Sequence, residues 1–544
     1  MAVLAPGRRR WKALAGALLA LSLVAAACGD DKGDDGGTSA TGPTGTAGAT
    51  TSAAPATPVA GGTATVLLFS EIATLDPVKG TGSGGSDGQR FHALYGGLVY
   101  YDASKNAVVP LQAQSLSPKG TNYAQWQLVL KAGMTFTDGT PFNADAVKVN
   151  WERAKVPENA CPCRGVAATL KTLTVVNDTT LDIELVAPNA HFDKNMSRIT
   201  LNYIASAKAI TDKVDLTSKP VGAGPFTLDQ WIRDDRMIMS KNPAWKGSPG
   251  PYLDKLTFRV VGDEDQRIDT FNTGQADAFY TSTPGSVDRA TKAVKDSYYA
   301  SVQVTTGQTF VLNNTTAPFN DLRIRKALVQ GVDWKALADT VFGKGAIAAD
   351  NFTLKGTPWY TDKAALPKYD PAAAQALIDD YVKEKGGPVK IDFLAFQQTL
   401  DQQRVKFIQT AMGQLKNIQI NVQVNDSPTN IGKVLRGEYQ ASSWGFPTLD
   451  PDPGLYNSVK TGLATNYSKY TNPAVDAALD QARQLTDQAQ RATLYQGIYE
   501  QLAKDLPFFP YVVTVNGFVA QPRLKGASVQ EDGIMRFDLI WLSK

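Results

Sequence analysis

The chain has 544 residues, 43% of them hydrophobic and 20% charged, with a formal net charge of +3. This is ordinary globular composition and length enough for more than one core. Beyond its first dozen residues it has no basic run and no basic–aromatic interleaving, which excludes a nucleic-acid-binding surface, and no later segment is long and apolar enough to span a bilayer.

Arg8, Arg9, Arg10 and Lys12 form a cationic start, followed by the apolar run from Ala13 to Ala27. That run is shorter than the ~20 residues of a spanning helix. Small residues then lead to Cys28-Gly29, the pattern of a secretory cleavage site, and the Arg-Arg pair before Trp11 also fits twin-arginine export. A cysteine at the cut resembles the lipobox of bacterial lipoproteins. The resemblance implies removal of residues 1–27, lipidation of Cys28 and anchoring on the outer face of the cytoplasmic membrane. An ordinary signal peptide with an incidental Cys28 stays open. From Gly29 to Gly61 the chain is nearly all Gly, Thr, Ala, Ser, Pro and Asp, with Val59 its one large aliphatic residue. Such a segment buries too little apolar surface to offset its ordering entropy, so residues 28–61 read as a tether reaching roughly 30 Å.

About 480 residues follow. Thr63 to Phe69 reads as a strand, rich in β-formers. Gln125 to Leu130 reads as another, leading to the turn Asp138-Gly139-Thr140-Pro141. Asn143 is placed to cap a helix with Val147 and Trp151 one turn apart. Cys161 and Cys163 flank Pro162. A local disulfide would close a very small ring; free thiols and a metal site are the alternatives, but the body offers only His92 and His191 as further soft ligands, so no histidine-based metal site and no cofactor is expected. Leu173–Val176 and Leu181–Val186 flank Asn177-Asp178 as a hairpin. Val389–Phe396, a helix from about Asp401 to Leu415, and Ile418–Val424 make a β-α-β unit. Helices over 473–485 and 491–504 precede a strand over Tyr511–Phe518. The class is mixed α/β with mixed sheets.

Several fragments occur in a telling order: Leu75-Asp76-Pro77, Leu94-Tyr95-Gly96-Gly97-Leu98-Val99, the run Met134 to Val147, Pro220 to Phe226, Asn242-Pro243-Ala244-Trp245, Gly274-Gln275-Ala276-Asp277, Asn313-Asn314 with Pro318 to Leu328, and Trp444-Gly445 with Asp450-Pro451-Asp452. Each alone reads as turn or cap chemistry. Together, across residues 62–544, they resemble the large solute-binding proteins of bacterial ABC importers, the family 5 group typified by oligopeptide-, dipeptide- and nickel-binding proteins.

The resemblance implies an α/β, two-lobed periplasmic-binding-protein-like fold (type II, large cluster C type) with mixed sheets and a hinge. Lobe I would be 62–305, with an extra subdomain at about 96–215. Lobe II would be 306–508, and 509–544 would return to lobe I, with crossings near 305 and 510. The implied task is capture of a small organic solute, a peptide or peptide-like compound, by hinge closure and delivery to an ABC permease driven by its ATPase subunits. The protein would be a monomer and not an enzyme.

In this family the segment holding Trp444 and Phe446 lines the cleft, and Trp444 offers a flat apolar wall with an N–H; packing in the lobe core is its alternative role. Peptide-binding members carry an aspartate three residues after this tryptophan, where this chain has Pro447. A buried ammonium without a carboxylate is costly, which counts against simple peptides. Asp450 and Asp452 read as a structural turn. Further candidates are Glu71 and Thr74 after the first strand, Phe310 and Asn314 on a later one, and Gln397 and Gln398 where the β-α-β unit opens its helix. Two other functions stay open: a ligand-sensing or surface-presentation lipoprotein of the same fold, and a secreted hydrolase. The hydrolase would need a nucleophile, a base and an orienter, with Cys161 or Cys163 beside His191 as its nearest approach.

Overall fold

A computed structural model describes residues 57–82, 87–102, 105, 107–303, 307–445, 450–530 and 533–544. The signal segment, Cys28, most of the tether, Phe446 and Pro447 lie outside the described residues.

Two large sheets organise the chain. The first has seven strands in the order Tyr298–Gln303, Val515–Ala520, Ala278–Thr281, Thr63–Leu68, Lys255–Val260, Arg236–Lys241, Phe226–Ile232. Its central strand Thr63–Leu68 runs parallel to both neighbours and is buried at Ala64, Val66, Leu67 and Leu68, as a strand covered on both faces requires. The second sheet has six strands: Ile347–Ala348, Phe508–Val513, Gln308–Leu312, Ala441–Gly445, Val389–Phe396, Ile418–Asn425. The β-α-β unit forms as its pattern predicts, with Val389 paired to Ile418 in parallel register. Its helix, Thr399–Met412, buries Val405, Ile408 and Met412 on one face, the spacing of an amphipathic helix.

A subdomain hangs from the first sheet. Its four antiparallel strands, in the order Ala113–Pro118, Gln125–Leu130, Thr180–Leu185, Leu170–Asn177, include the expected hairpin. Helix Ala144–Lys155 packs on them, capped by Asn143, whose side chain accepts from the Ala146 N–H at 3.0 Å. Trp126 and Trp151 fill the space between. Cys161 and Cys163 are joined as a disulfide at the edge of this core, the first of the arrangements considered for the pair.

The chain passes from the first sheet to the second between Gln303 and Gly307, and returns at Thr514. The return corrects two expectations. The single strand over Tyr511–Phe518 is two strands, and the boundary at 508/509 lies at 514 instead. Phe508–Val513 pairs with Gln308–Leu312 in the second sheet, whereas Val515–Ala520 pairs with Ala278–Thr281 in the first. Both pieces are apolar and buried, so their hydrophobic pattern is continuous across the break. The lobe to which each belongs is a matter of pairing, not of pattern.

Candidate functional site

Strand registers decide which ends of the two sheets meet at the crossings. In the first sheet Gln303 pairs with Val515, and Thr281 with Gly517. Thr63–Leu68 is parallel to Ala278–Thr281, so its C-terminal end and the loop after it lie at the crossing edge. In the second sheet Gln308 pairs with both Gly445 and Val512. The C-terminal end of Ala441–Gly445 therefore lies at the crossing edge, with that of its parallel neighbour Val389–Phe396. Both sheets thus turn strand C-termini toward the crossings, the edge where open α/β sheets receive ligands.

Trp444 sits at this edge. Its ring is half-buried, meets Tyr467 edge-on with centroids 5.0 Å apart, and packs on the small cluster of Val311, Leu394, Val434 and Tyr439. Gln397 and Gln398 reach the same edge, Gln397 exposed and Gln398 donating to Ser427 Oγ at 3.1 Å. From the first sheet, Glu71 and Thr74 stand in the loop after Thr63–Leu68. Both are engaged locally. Glu71 Oε2 accepts from the Asp234 N–H at 2.7 Å and lies 3.4 Å from Trp231 Nε1, while Oε1 lies 3.9 Å from Arg90 Nη2. Thr74 Oγ1 accepts from the Asp76 N–H at 3.1 Å, and Asp76 in turn holds Arg153 through both oxygens, at 2.8 and 2.5 Å.

Two sequence candidates fall elsewhere. Phe310 is fully buried, stacked on Tyr511 at 4.2 Å and ringed by Trp334, Phe393 and Phe509. It is core, because strand alternation turns it to the face opposite Trp444's. Asn314 lies past the far end of its strand from the crossing, where its Nδ2 donates to the carbonyls of Leu312, Ser468 and Pro507.

Beneath Trp444, on the other face of the sheet, is a buried polar network that sequence reasoning missed. Asp401 and Arg404, 2% and 9% exposed, lie three apart on helix Thr399–Met412 and form an ion pair. Asp401 also accepts from Ser443 Oγ at 2.6 Å and from the Phe396 N–H. Arg404 Nη1 donates to Tyr511 Oη at 2.6 Å and to Gln308 Oε1 at 3.1 Å. Burial opposes the guanidinium's charge, but Asp401 and Tyr511 outweigh it and hold its pKa above the ordinary value. The only sequence signal was an acid and a base at helical spacing.

A second cluster joins the subdomain to the second lobe. Lys194, on helix Phe192–Met196, lies 3.1 Å from Asp450, which also holds Arg491 through both oxygens at 3.0 and 2.8 Å. Asp452 pairs with Arg483 at 2.8 Å. The Ala190 N–H donates to the Arg483 carbonyl at 2.9 Å, and His191 Nε2 meets the Leu485 carbonyl at 2.8 Å. Lys194 also lies 4.2 Å over the ring of Tyr101, which borders a small crevice shared with Arg198, Tyr203 and Gln530. The reading of Asp450 and Asp452 as structural missed their reach between lobes, a contact no local pattern reveals. Among the described residues no three His, Cys, Asp or Glu side chains could hold a metal ion, and no helix is long and apolar enough to cross a membrane.

Comparison with known proteins places this geometry. The family described as bacterial extracellular solute-binding proteins, family 5 Middle, matches residues 107–466. The periplasmic oligopeptide-binding protein OppA of Escherichia coli K12 is 25% identical over 491 residues, covering 84% of this chain and 88% of its own. The glutathione-binding protein GsiB of Pectobacterium atrosepticum is 26% identical over 510 residues, covering 90% and 96%. Among solved structures, the periplasmic binding protein DppA of Helicobacter pylori, in complex with the peptide STSA, superposes with a TM-score of 0.78 at 21% identity, over 89% of this chain and 99% of its own.

Proposed function

The chain belongs to the bacterial extracellular solute-binding proteins of family 5, and from that premise we propose that it captures a peptide or peptide-like solute between its two lobes and hands it to the permease of an ABC importer. The observation that carries this reading is the facing of strand C-termini from both sheets across the two crossings, with Trp444 on one side and the 69–76 loop on the other. A cleft with only two chain crossings can open and close by rotation about them. The names of the relatives, which include oligopeptide- and glutathione-binding proteins, support the ligand class.

In this reading Trp444 supplies an apolar wall and Gln397 and Gln398 supply neutral hydrogen-bonding groups. Lobe I comprises about 62–303 with its subdomain, lobe II about 307–513, and 515–544 completes lobe I. Capture and release break no bond in the solute, and one copy of the chain suffices. Lipidation of Cys28 holds the trap beside its permease on the outer face of the cytoplasmic membrane.

The test is a thermal-shift screen of the purified chain against glutathione, di-, tri- and longer peptides, amino-acid derivatives and sugars, with mass spectrometry of whatever co-purifies. A bound solute raises the melting temperature by mass action, by about 2.7 kcal/mol of stability at a hundredfold excess over Kd. Glutathione or another peptide-like compound is the expected hit, ahead of simple peptides with a free amino terminus. A flat response from folded protein overturns the reading.

A further inference from the structure

We propose that the Asp401–Arg404 pair is the positioning element of the binding cleft, holding the Trp444 strand and the second-sheet strand ends beside both crossings on one base. The inference rests on Trp444 lining the cleft, and it names what keeps that side chain in place. The pair gathers one polar group from each of four strands of the second sheet. Ser443 comes from Ala441–Gly445 and the Phe396 N–H from Val389–Phe396, both bound by Asp401. Gln308 comes from Gln308–Leu312 and Tyr511 from Phe508–Val513, both bound by Arg404.

The places of these groups give the pair its meaning. Ser443 immediately precedes Trp444. Gln308 follows the first crossing directly, and Tyr511 stands three residues before Thr514, where the chain returns. Arg404 is suited to this as lysine is not, because its fork holds several acceptors at once in fixed directions, whereas an ammonium is a single point. Ser443 and Trp444 point to opposite faces of the strand. The pair therefore sets the wall from behind and leaves the ligand-facing surface unobstructed. With both charges buried and each satisfied by the other, rotation of the strand ends would strip hydrogen bonds from a site that water does not readily fill.

Fluorine NMR of the full chain labelled with 5-fluorotryptophan tests this without any ligand. The chain has nine tryptophans, and Trp444→Phe identifies the resonance of Trp444. Arg404→Met should displace or broaden that resonance by more than its linewidth and leave those of Trp126 and Trp151, in the subdomain core, unchanged. Gln308→Ala should displace it too, although the Gln308 side chain is directed to Arg404 and its backbone pairs with Gly445. Arg404→Lys should fall between wild type and Arg404→Met, since it keeps the charge and loses the fork. A Trp444 resonance at its wild-type position in folded Arg404→Met, or in Gln308→Ala, overturns the proposal. Should Arg404→Met unfold, Ser443→Ala and Gln308→Ala decide, since each removes one neutral hydrogen-bonding group. A wrong reading of the ligand site would show instead as unchanged solute binding in Trp444→Ala, with these NMR results intact.

Discussion

Lys194 of the subdomain and Asp450 of the second lobe are 256 residues apart in the chain and 3.1 Å apart in the fold. Asp450 has a second partner besides this lysine, since Arg491, in its own lobe, holds both of its oxygens. Lys194 thus carries a charge across between lobes while the pair behind it stays whole. Lys194→Met should preserve the fold and loosen the contact. Small-angle scattering of the ligand-free protein should give a larger radius of gyration than wild type; identical scattering would show that the bridge holds nothing closed.

Arg491→Met is the opposite case. It leaves the Asp450 carboxylate, 4% exposed, without its main partner, and breaking a buried pair from one side costs about 3–5 kcal/mol. Urea denaturation should show a loss of that size, several times the loss in Lys194→Met.

Acid should act through the same groups. Burial pushes the Asp450 pKa up, but the hydrogen bonds from Arg491 and the charges of Lys194 and Arg491 more than reverse this and hold it well below the carboxylate range. Asp538 is held low in the same way by Arg536 and His92. Both folded pKa values lie below the unfolded ~3.9. Their stabilisation is therefore present above that value and is lost as pH falls toward the folded ones, because the unfolded chain takes up protons first. Through these two carboxylates the urea midpoint should decline between about pH 5 and pH 3; a level profile over that range would contradict this.

His191 adds an earlier step. Burial, followed by the charge of Arg491, lowers its pKa below the ordinary 6.5. Its contribution is present above about pH 6.5 and is lost as pH falls through the folded value. Scattering at pH 5 against pH 7.5 should report a looser subdomain contact, and His191→Gln should flatten the difference.

Phe310 and Trp444 test the proposed division between core and cleft wall. Phe310→Ala should cost about 3–5 kcal/mol, the usual range for a fully buried aromatic. Trp444→Ala should cost less and weaken capture of the co-purifying solute. Calorimetry and titration on both variants check this, and an unfolded Trp444→Ala would place Trp444 in the core.

Reduction of the Cys161–Cys163 disulfide should matter little. The closed loop spans a sequence separation of 2, and loop-closure entropy for so short a ring amounts to about 1–1.5 kcal/mol, at the low end for a disulfide. Melting with and without a phosphine reductant measures it.

The sequence by itself determined the class of fold and the family. Local chemistry carries those: Asn143 capping a helix, Asn177-Asp178 turning a hairpin, and the alternation around Val389–Phe396 and Ile418–Val424 are short-range signals that tertiary contacts did not override. It also brought Trp444, Gln397 and Gln398 forward as candidates, and the parallel pairing of their strands places all three at one edge. Only the tertiary structure decided that Phe310 is core, that Asn314 stands at the far end of its strand, and that the chain changes sheets at Thr514. It alone joined Lys194 to Asp450 and Arg404 to Gln308 and Tyr511. A strand's apolar pattern is the same whichever sheet it joins, and a buried charge finds its partner through space. Pairing and burial are non-local, so they become visible only when the chain is folded.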